Sequence, residues 1–198
     1  MRTTTKFLAA ALVSAVMATP AMASEPYVAL DIGQTTAKDA CGTAGLPAGT
    51  TIAGCKDSSA GLRVSLGSEF APGFSGEVSY AAYGSASLGV ATIPGVGTVA
   101  GGDWKLSGFQ LAGIGALPVN DAFAVIGKVG LASTKISLSV GGLSATSTNL
   151  MFGIGAQFRI NSDVSVRAQY ENLGTVGDAA TTGTAKVSVI GAGVVYKF

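Results

Sequence analysis

The chain has 198 residues, of which 48% are hydrophobic and only 12% are charged. Its 12 basic and 11 acidic residues nearly cancel, which gives no reason to expect a nucleic-acid partner. It contains no histidine, so histidine-dependent catalytic arrangements and histidine metal sites are excluded. We therefore predict that the protein is not an enzyme and binds no cofactor or metal.

The N-terminus has the three parts of a secretory signal. Two basic residues precede an apolar stretch over residues 7–17, and Ala21-Met22-Ala23 supplies the small residues of a cleavage site. The apolar stretch is too short to span a membrane as a helix. We predict a signal peptide over residues 1–23, cleaved after Ala23, and one domain over residues 24–198. The alternative is a soluble protein whose first helix is apolar.

After Ala23 the chain consists of short alternating segments. No apolar run approaches the roughly 18 residues of a membrane helix, whereas a transmembrane strand needs only about 9 to 11 residues with alternating faces. Eight such segments can be traced: Tyr27–Thr36, Gly61–Phe70, Phe74–Tyr83, Trp104–Leu117, Phe123–Lys135, Leu150–Arg159, Val164–Leu173 and Val187–Phe198. The predicted fold is all-β, a transmembrane up-and-down antiparallel eight-stranded β-barrel in the outer membrane of a Gram-negative bacterium.

The predicted connections alternate in length, as an up-and-down barrel requires. Long loops fall around residues 37–60, 84–103, 136–149 and 174–185, and short turns fall around residues 71–73, 118–122 and 161–163. Both chain ends then lie on the short-turn side. Aromatic residues at the strand ends beside the short turns are predicted to form an interfacial girdle: Phe70, Phe74, Phe123, Phe158, Tyr196 and Phe198.

The last segment, Val187–Phe198, ends the sequence on an aromatic residue. One face carries apolar side chains suited to lipid: Ile190, Ala192, Val194, Tyr196 and Phe198. A soluble domain rarely leaves such an apolar sheet edge unprotected. We therefore predict that this strand closes the barrel against Tyr27–Thr36.

The charged residues fix which face points inward. An Arg or Lys that faces lipid at mid-membrane costs roughly 2 to 4 kcal/mol, so Arg63, Lys128 and Arg167 should face the lumen. Acidic residues and glutamines share their parity, which gives a predicted lumen network of Asp31, Arg63, Glu77, Lys128, Gln157, Arg167, Gln169 and Glu171, joined by Gln110. Buried charges persist only when paired, and eight strands enclose just enough space for their own side chains. The network is therefore predicted to be a packed polar core rather than an open channel.

Cys41 and Cys55 are the only cysteines, and both lie in the first long loop. In the oxidising environment of an exported protein they are predicted to form a disulfide. Closing this loop is worth roughly 3 kcal/mol in the chain-entropy model, less any strain. Two free thiols or a metal site are the alternatives.

Two glycine-containing stretches resemble nucleotide-binding motifs. Gly95-Val96-Gly97-Thr98-Val99-Ala100 matches a degenerate dinucleotide fingerprint, but that motif works only between a strand and a helix. We interpret it as a flexible surface loop. The stretch from Asp31 to Thr36 resembles the phosphate loop of sugar kinases, and we interpret it as part of the first strand with an inward Asp31.

Several stretches resemble the OmpA-type outer-membrane β-barrel superfamily. They are GLRVSLGSEFAPGFSGEVSYAAYG (61–84), GFQLAGIGALPVNDAFAVIGKVG (108–130), FGIGAQFRINSDVSVRAQYENLGTVGDA (152–179) and GAGVVYKF (191–198). The resemblance implies that Glu77, Lys128 and Arg167 belong to a salt-bridge network that plugs the lumen. Gln157 and Ile114 depart from the family pattern, which implies a rearranged network. The resemblance also implies that Tyr196 and Phe198 form the signal read by the outer-membrane assembly machinery.

The packed lumen and the long loops favour a structural, surface-exposed barrel that supports envelope integrity, with adhesion or host contact through its extracellular loops. The alternative function is a small porin-like pore for ions or small solutes, motivated by the polar inward face. Expected partners are membrane lipid or lipopolysaccharide, the assembly machinery and host or cell-surface ligands, and the chain is expected to be a monomer. Classical family members continue into a peptidoglycan-binding domain, so no tethering to the cell wall by that route is expected here.

Overall fold

A computed structural model describes residues 25–42, 46–139, 141–178 and 182–198. The predicted signal peptide over residues 1–23 lies outside these residues. Within the described residues, no helix has both the length and the apolar character needed to cross a membrane.

Eight long strands form a closed antiparallel barrel, which confirms the predicted fold class. They are β1 (Glu25–Lys38), β3 (Ser58–Ala71), β4 (Phe74–Ser87), β7 (Asp103–Pro118), β8 (Phe123–Leu138), β9 (Ser144–Arg159), β10 (Val164–Asp178) and β11 (Gly183–Lys197). Three short strands lie in the long loops: β2 (Thr51–Ala53), β5 (Val90–Ile93) and β6 (Gly97–Ala100). Around the barrel the order is β1-β11-β10-β9-β8-β7-β4-β3, with β3 pairing back to β1.

The last strand closes the barrel, as the sequence predicts. β11 pairs with β1 from Tyr27 opposite Lys197 to Lys38 opposite Lys186. Beyond the strand, the amide of Phe198 donates to the carbonyl of Pro26 at 3.1 Å. The apolar edge is thereby paired along its length, so it offers no template for another chain.

Most barrel strands are longer than the sequence predicts, mainly at the long-loop end. They have 14 to 16 residues, whereas about 9 to 11 suffice to cross a membrane. At Tyr83 and Leu173, where the predicted third and seventh strands end, the register shifts by one residue, and β4 and β10 continue beyond it. Gly84 (φ 97°) and Gly174 (φ 78°) follow the extra residues. These β-bulges interrupt the alternation of inward and outward side chains, which is why the alternating pattern in the sequence predicts strands that end at these residues.

Two of the three short turns are held by hydrogen bonds from an asparagine side chain to its own backbone, and in the third the Gly73 amide donates to Glu69 Oε1 at 3.0 Å. The Asn120 side-chain oxygen accepts from the amides of Ala122 and Phe123, and the Asn161 oxygen accepts from those of Asp163 and Val164. Asparagine favours turns because its side chain bonds its own backbone a few residues on. The predicted aromatic girdle lies beside these turns, and Tyr196 contacts Phe198 edge to face at a centroid distance of 5.2 Å.

The first two long loops form a small sheet above the barrel. β2 pairs with β5 and β5 pairs with β6, so the two loops are joined by backbone hydrogen bonds. The interpretation of residues 95–100 as a flexible loop is therefore wrong, because Gly97–Ala100 form strand β6 of a hairpin. A disulfide joins Cys41 to Cys55, with Cα atoms 5.8 Å apart, and restrains the first of these loops.

Candidate functional site: the barrel interior

The strand alternation sorts the side chains into an outer apolar surface and an interior. Leu30, Leu66 and Leu111 face outward, while Asp31, Ser65 and Gln110 on the same strands are buried inside. The interior of the described barrel contains a charged zone and two apolar clusters, and we call the larger cluster the apolar zone. The charged zone lies across the middle of the barrel, the apolar zone lies in the half nearest the long loops, and the smaller apolar cluster of Tyr27, Ala29 and Val195 lies toward the short turns.

Six side chains of alternating charge form a closed ring in the charged zone, which we call the ionic ring. Its members in order are Asp31, Arg63, Glu171, Lys128, Glu77 and Arg167, and the last returns to Asp31. They come from β1, β3, β10, β8 and β4, so the ring ties opposite walls together. Each of the six side chains is at most 7% exposed. Three cations face three anions, and the ring is neutral.

The two arginines make the shortest ion pairs of the ring. Arg63 Nη1 lies 2.6 Å from Glu171 Oε2, and its Nε lies 3.1 Å from Asp31 Oδ2. Arg167 Nη1 lies 2.6 Å from Glu77 Oε2, while Nε and Nη2 donate to both oxygens of Asp31 at 2.8 and 2.7 Å. This fork-to-fork contact is bidentate, which fixes orientation as well as adding energy.

Lys128 closes the ring on the other side. Its Nζ lies 2.8 Å from Glu77 Oε1 and 3.1 Å from Glu171 Oε1. Every carboxylate therefore meets two cations and every cation meets two carboxylates. Paired and hydrogen-bonded in this way, charges can be held in a low-dielectric interior whose desolvation cost a single pair would not offset.

Gln110 occupies the interior beside the ring. Its Oε1 accepts from Ser79 Oγ at 3.1 Å and Lys128 Nζ at 3.3 Å, and its Nε2 donates to Glu171 Oε2 at 3.2 Å and to Tyr83 Oη at 2.7 Å. The amide thus links the charged zone to Tyr83, which belongs to the apolar zone.

The remaining glutamines behave differently from one another. Gln169 is buried, and its Nε2 donates to Asp31 Oδ1 at 3.5 Å, a long contact at the edge of the ring. Gln157 was predicted to be a network member, but it is only partly buried and makes no hydrogen bond to the ring among the described residues. It pairs by register with Arg167, whose donors are already taken by Asp31 and Glu77.

Glycines make room for the ring. A Cβ on Gly193 would collide with the Asp31 carboxylate and with the Leu30 carbonyl, and a Cβ on Gly67 would collide with the Tyr27 ring. Tyr27 Oη in turn donates to Glu77 Oε2 at 3.3 Å. Small residues on one strand therefore accommodate long polar side chains from its neighbour.

The apolar zone was not predicted from the sequence. Its largest buried side chains are Tyr83, Trp104, Leu106, Met151, Leu173 and Val176. Trp104 and Leu106 continue the inward parity of Gln110 and Ala112, which was a usable signal. Val176 faces inward only because of the bulge before Gly174, which a strict count of alternation misses.

The family of the protein follows from a comparison of its sequence with family models, and the barrel architecture agrees with it. The family model described as "Outer membrane protein beta-barrel domain" matches residues 7–198, nearly the whole sequence. The chain belongs to this family. Membership places it among the barrels of the Gram-negative outer membrane, with strands that cross the bilayer. A comparison with curated protein sequences finds no match.

Solved structures of small outer-membrane proteins share the fold. Neisserial surface protein A is 15% identical, with a TM-score of 0.55 and coverage of 89% of this chain and 100% of that chain. OprG from Pseudomonas aeruginosa is 16% identical, with a TM-score of 0.54 and coverage of 88% and 96%. Ail, the attachment invasion locus protein of Yersinia pestis, is 18% identical, with a TM-score of 0.51 and coverage of 89% and 100%. At these identities the likeness concerns the fold alone.

Proposed function

We propose that this outer-membrane barrel is closed at mid-membrane and serves as a structural protein that presents a fixed loop surface to the outside. The observation that supports this most directly is the ionic ring. Six side chains from five strands meet across the lumen at 2.6 to 3.1 Å and leave almost none of their surface exposed. Ions would have to break several of these pairs to pass.

The loop surface supports contact with other molecules as the finer role. The sheet of β2, β5 and β6 and the Cys41–Cys55 disulfide restrain two long loops, and binding is usually carried by loops on a rigid scaffold. The hairpin exposes Val90, Val96 and Val99 to its surroundings. Ail, which shares the fold, has been solved in complex with the heparin analogue sucrose octasulfate. We extend to this chain only the proposal that its loops contact host or cell-surface ligands.

Exposed lysines near the long-loop end support lipopolysaccharide as the lipid partner. Lys38 and Lys186 are directly opposite on β1 and β11, and Lys105 and Lys135 lie on the adjacent strands β7 and β8. Their strand neighbours point inward, so the lysines point outward. Like charges directly opposite are destabilising unless an anion lies between them. Phosphate groups of the outer leaflet are anions at that level.

The lipid partner can be tested by unfolding in vesicles with and without lipopolysaccharide. We expect lipopolysaccharide to raise the unfolding temperature of the native protein, and Lys38→Gln with Lys186→Gln to reduce that gain. Arg159→Gln, an exposed charge loss at the short-turn end, is the control and should keep the gain. An equal loss in both variants would count against a lysine site.

Four further proposals concern export, assembly, oligomeric state and catalysis. We propose that residues 1–23 are removed as a signal peptide, that the assembly machinery reads Tyr196 and Phe198, and that the barrel acts as a monomer without catalytic activity.

Planar-bilayer recording on pure refolded protein tests the closed-barrel proposal. The native protein should be silent, whereas Glu77→Ala combined with Arg167→Ala removes one anion and one cation and should permit current steps. Stable, salt-dependent unitary conductance of the native protein would instead assign it as a small pore for ions or solutes.

A further inference from the structure

A large chamber lies in the apolar zone, outward of the ionic ring. Its volume is about 460 Å³, and its walls include Trp104, Leu106, Ile136, Val176 and Val187. Pockets that hold small molecules typically have volumes of about 300 to 1,000 Å³ and mainly apolar linings. The chamber therefore has the size and the chemistry of a small-molecule site.

The chamber is closed toward the membrane centre. Leu106 lies in its floor, and the fully buried side chains of Met151 and Leu173 pack in the same cluster. Tyr83 belongs to this cluster and accepts a hydrogen bond from Gln110, which contacts the ionic ring. A molecule in the chamber thus faces a packed apolar layer and then the ring. It can be retained there but has no path onward.

The distribution of charge in the walls selects for an uncharged occupant. Among the described lining residues, the charged ones are Asp39, which is exposed at the rim, and Lys186, whose side chain points outward from the barrel. A charged group moved against the apolar walls would lose its hydration without gaining a partner. An alkyl chain or aromatic ring loses nothing comparable and gains about 25 cal/mol for each Å² of apolar surface removed from water.

We infer that this outward-opening chamber is a binding site for uncharged apolar small molecules from the external medium. It adds a ligand-binding role to the proposed structural one and does not depend on it. A barrel that conducted ions could still bind at this site, and a silent barrel could fail to bind.

Trp104 makes the site directly observable. It is the only tryptophan in the sequence, it is 2% exposed, and it lines the chamber. Its indole Nε1 has no hydrogen-bond partner among the described residues. Any quenching by a heavy atom at contact distance reports on this chamber.

The test is titration of the full-length protein, refolded in lipid nanodiscs, with 10-bromodecan-1-ol while Trp104 fluorescence is recorded. We expect saturable quenching, and weaker quenching by the anionic 10-bromodecanoate. Ala185→Phe narrows the chamber and should raise the apparent Kd by about tenfold or more. Ala192→Phe adds the same ring on the outward face of the same strand and should leave binding unchanged.

The outcomes separate binding from partition into lipid. Quenching that rises linearly without saturation, or that both Phe variants reduce equally, would overturn the inference, as would an absence of quenching. The heat-dependent shift in gel mobility confirms that each variant is folded. If Ala185→Phe does not fold, Ala40→Phe narrows the chamber at its rim outside the barrel strands and makes the same test.

Discussion

Neutralising Glu77 should destabilise the barrel far more than neutralising a carboxylate on its surface. Glu77 lies 2.8 Å from Lys128 Nζ and 2.6 Å from Arg167 Nη1. At an effective dielectric of about 20, each of these contacts is worth about 6 kcal/mol of Coulomb energy. Glu77→Gln keeps the shape of the side chain but leaves the ring with an unbalanced positive charge.

The net cost is smaller than the Coulomb sum, because a neutral amide in place of the Glu77 carboxylate no longer loses the hydration of a charge. Removing one partner of a buried pair typically costs 3 to 5 kcal/mol, so we expect the free energy of unfolding to fall by about that amount. Glu25→Gln is the matched control. Glu25 pairs with Lys197 at 2.7 Å, but its side chain is 60% exposed, and such pairs are worth about 0 to 1 kcal/mol.

Reversible urea unfolding in phospholipid vesicles, followed by Trp104 fluorescence, gives both values. Adding Lys128→Met to Glu77→Gln restores the charge balance, so the double variant should be more stable than the sum of the single effects by about 1 to 3 kcal/mol. If Glu77→Gln costs no more than Glu25→Gln, or if the double variant is simply additive, the ring is not a coupled buried network.

Three further predictions concern the supporting structure. Gly193→Ala should cost about 1 to 3 kcal/mol because its Cβ meets the Asp31 carboxylate, whereas Gly127→Ala, with open space around its Cβ, should be neutral in the same urea assay. Cys41→Ser should leave the barrel's gel-mobility shift intact but speed protease cleavage between residues 39 and 57. The reason is that about 3 kcal/mol of loop restraint is lost with the disulfide. Equal cleavage rates in the variant and the native protein would contradict a structural disulfide. Phe198→Ala should lower the fraction of chain assembled in outer membranes, measured by the same gel shift in cells, while Phe109→Ala, an outward aromatic in mid-strand, should not.

Much of the fold could be predicted because a membrane barrel imposes a simple rule on sequence. Lipid requires one apolar face, and a charge at mid-membrane such as Lys128 or Arg167 faces inward, so parity identifies both surfaces there. The number of strands and the sorting of short turns and long loops follow from the same alternation. The Cys41–Cys55 pair follows from export and from there being only two cysteines.

The tertiary structure alone decided how the interior is arranged. Parity places Asp31, Arg63 and Glu171 inside the barrel, but it does not say which of them form pairs. Arg63 and Glu171 are more than 100 residues apart in the sequence, and they meet only because of the stagger of the strands around the barrel. It also shows that Gln157 stays outside the ring. The local sequence pattern contains no information about which inward residues lie at the same height along the barrel axis.

The bulges at Tyr83 and Leu173 are a second feature that could not be predicted from the sequence. Each bulge inserts one residue into one strand, so every later side chain of that strand changes face. Strict alternation therefore assigns the inward residues correctly before the bulge and wrongly after it. Val176 turns inward for this reason and helps to form the chamber. The sequence by itself determined the barrel and its two faces, because burial in lipid acts on each residue separately. The ionic ring and the chamber depend on contacts between distant strands, which only the closed structure brings together.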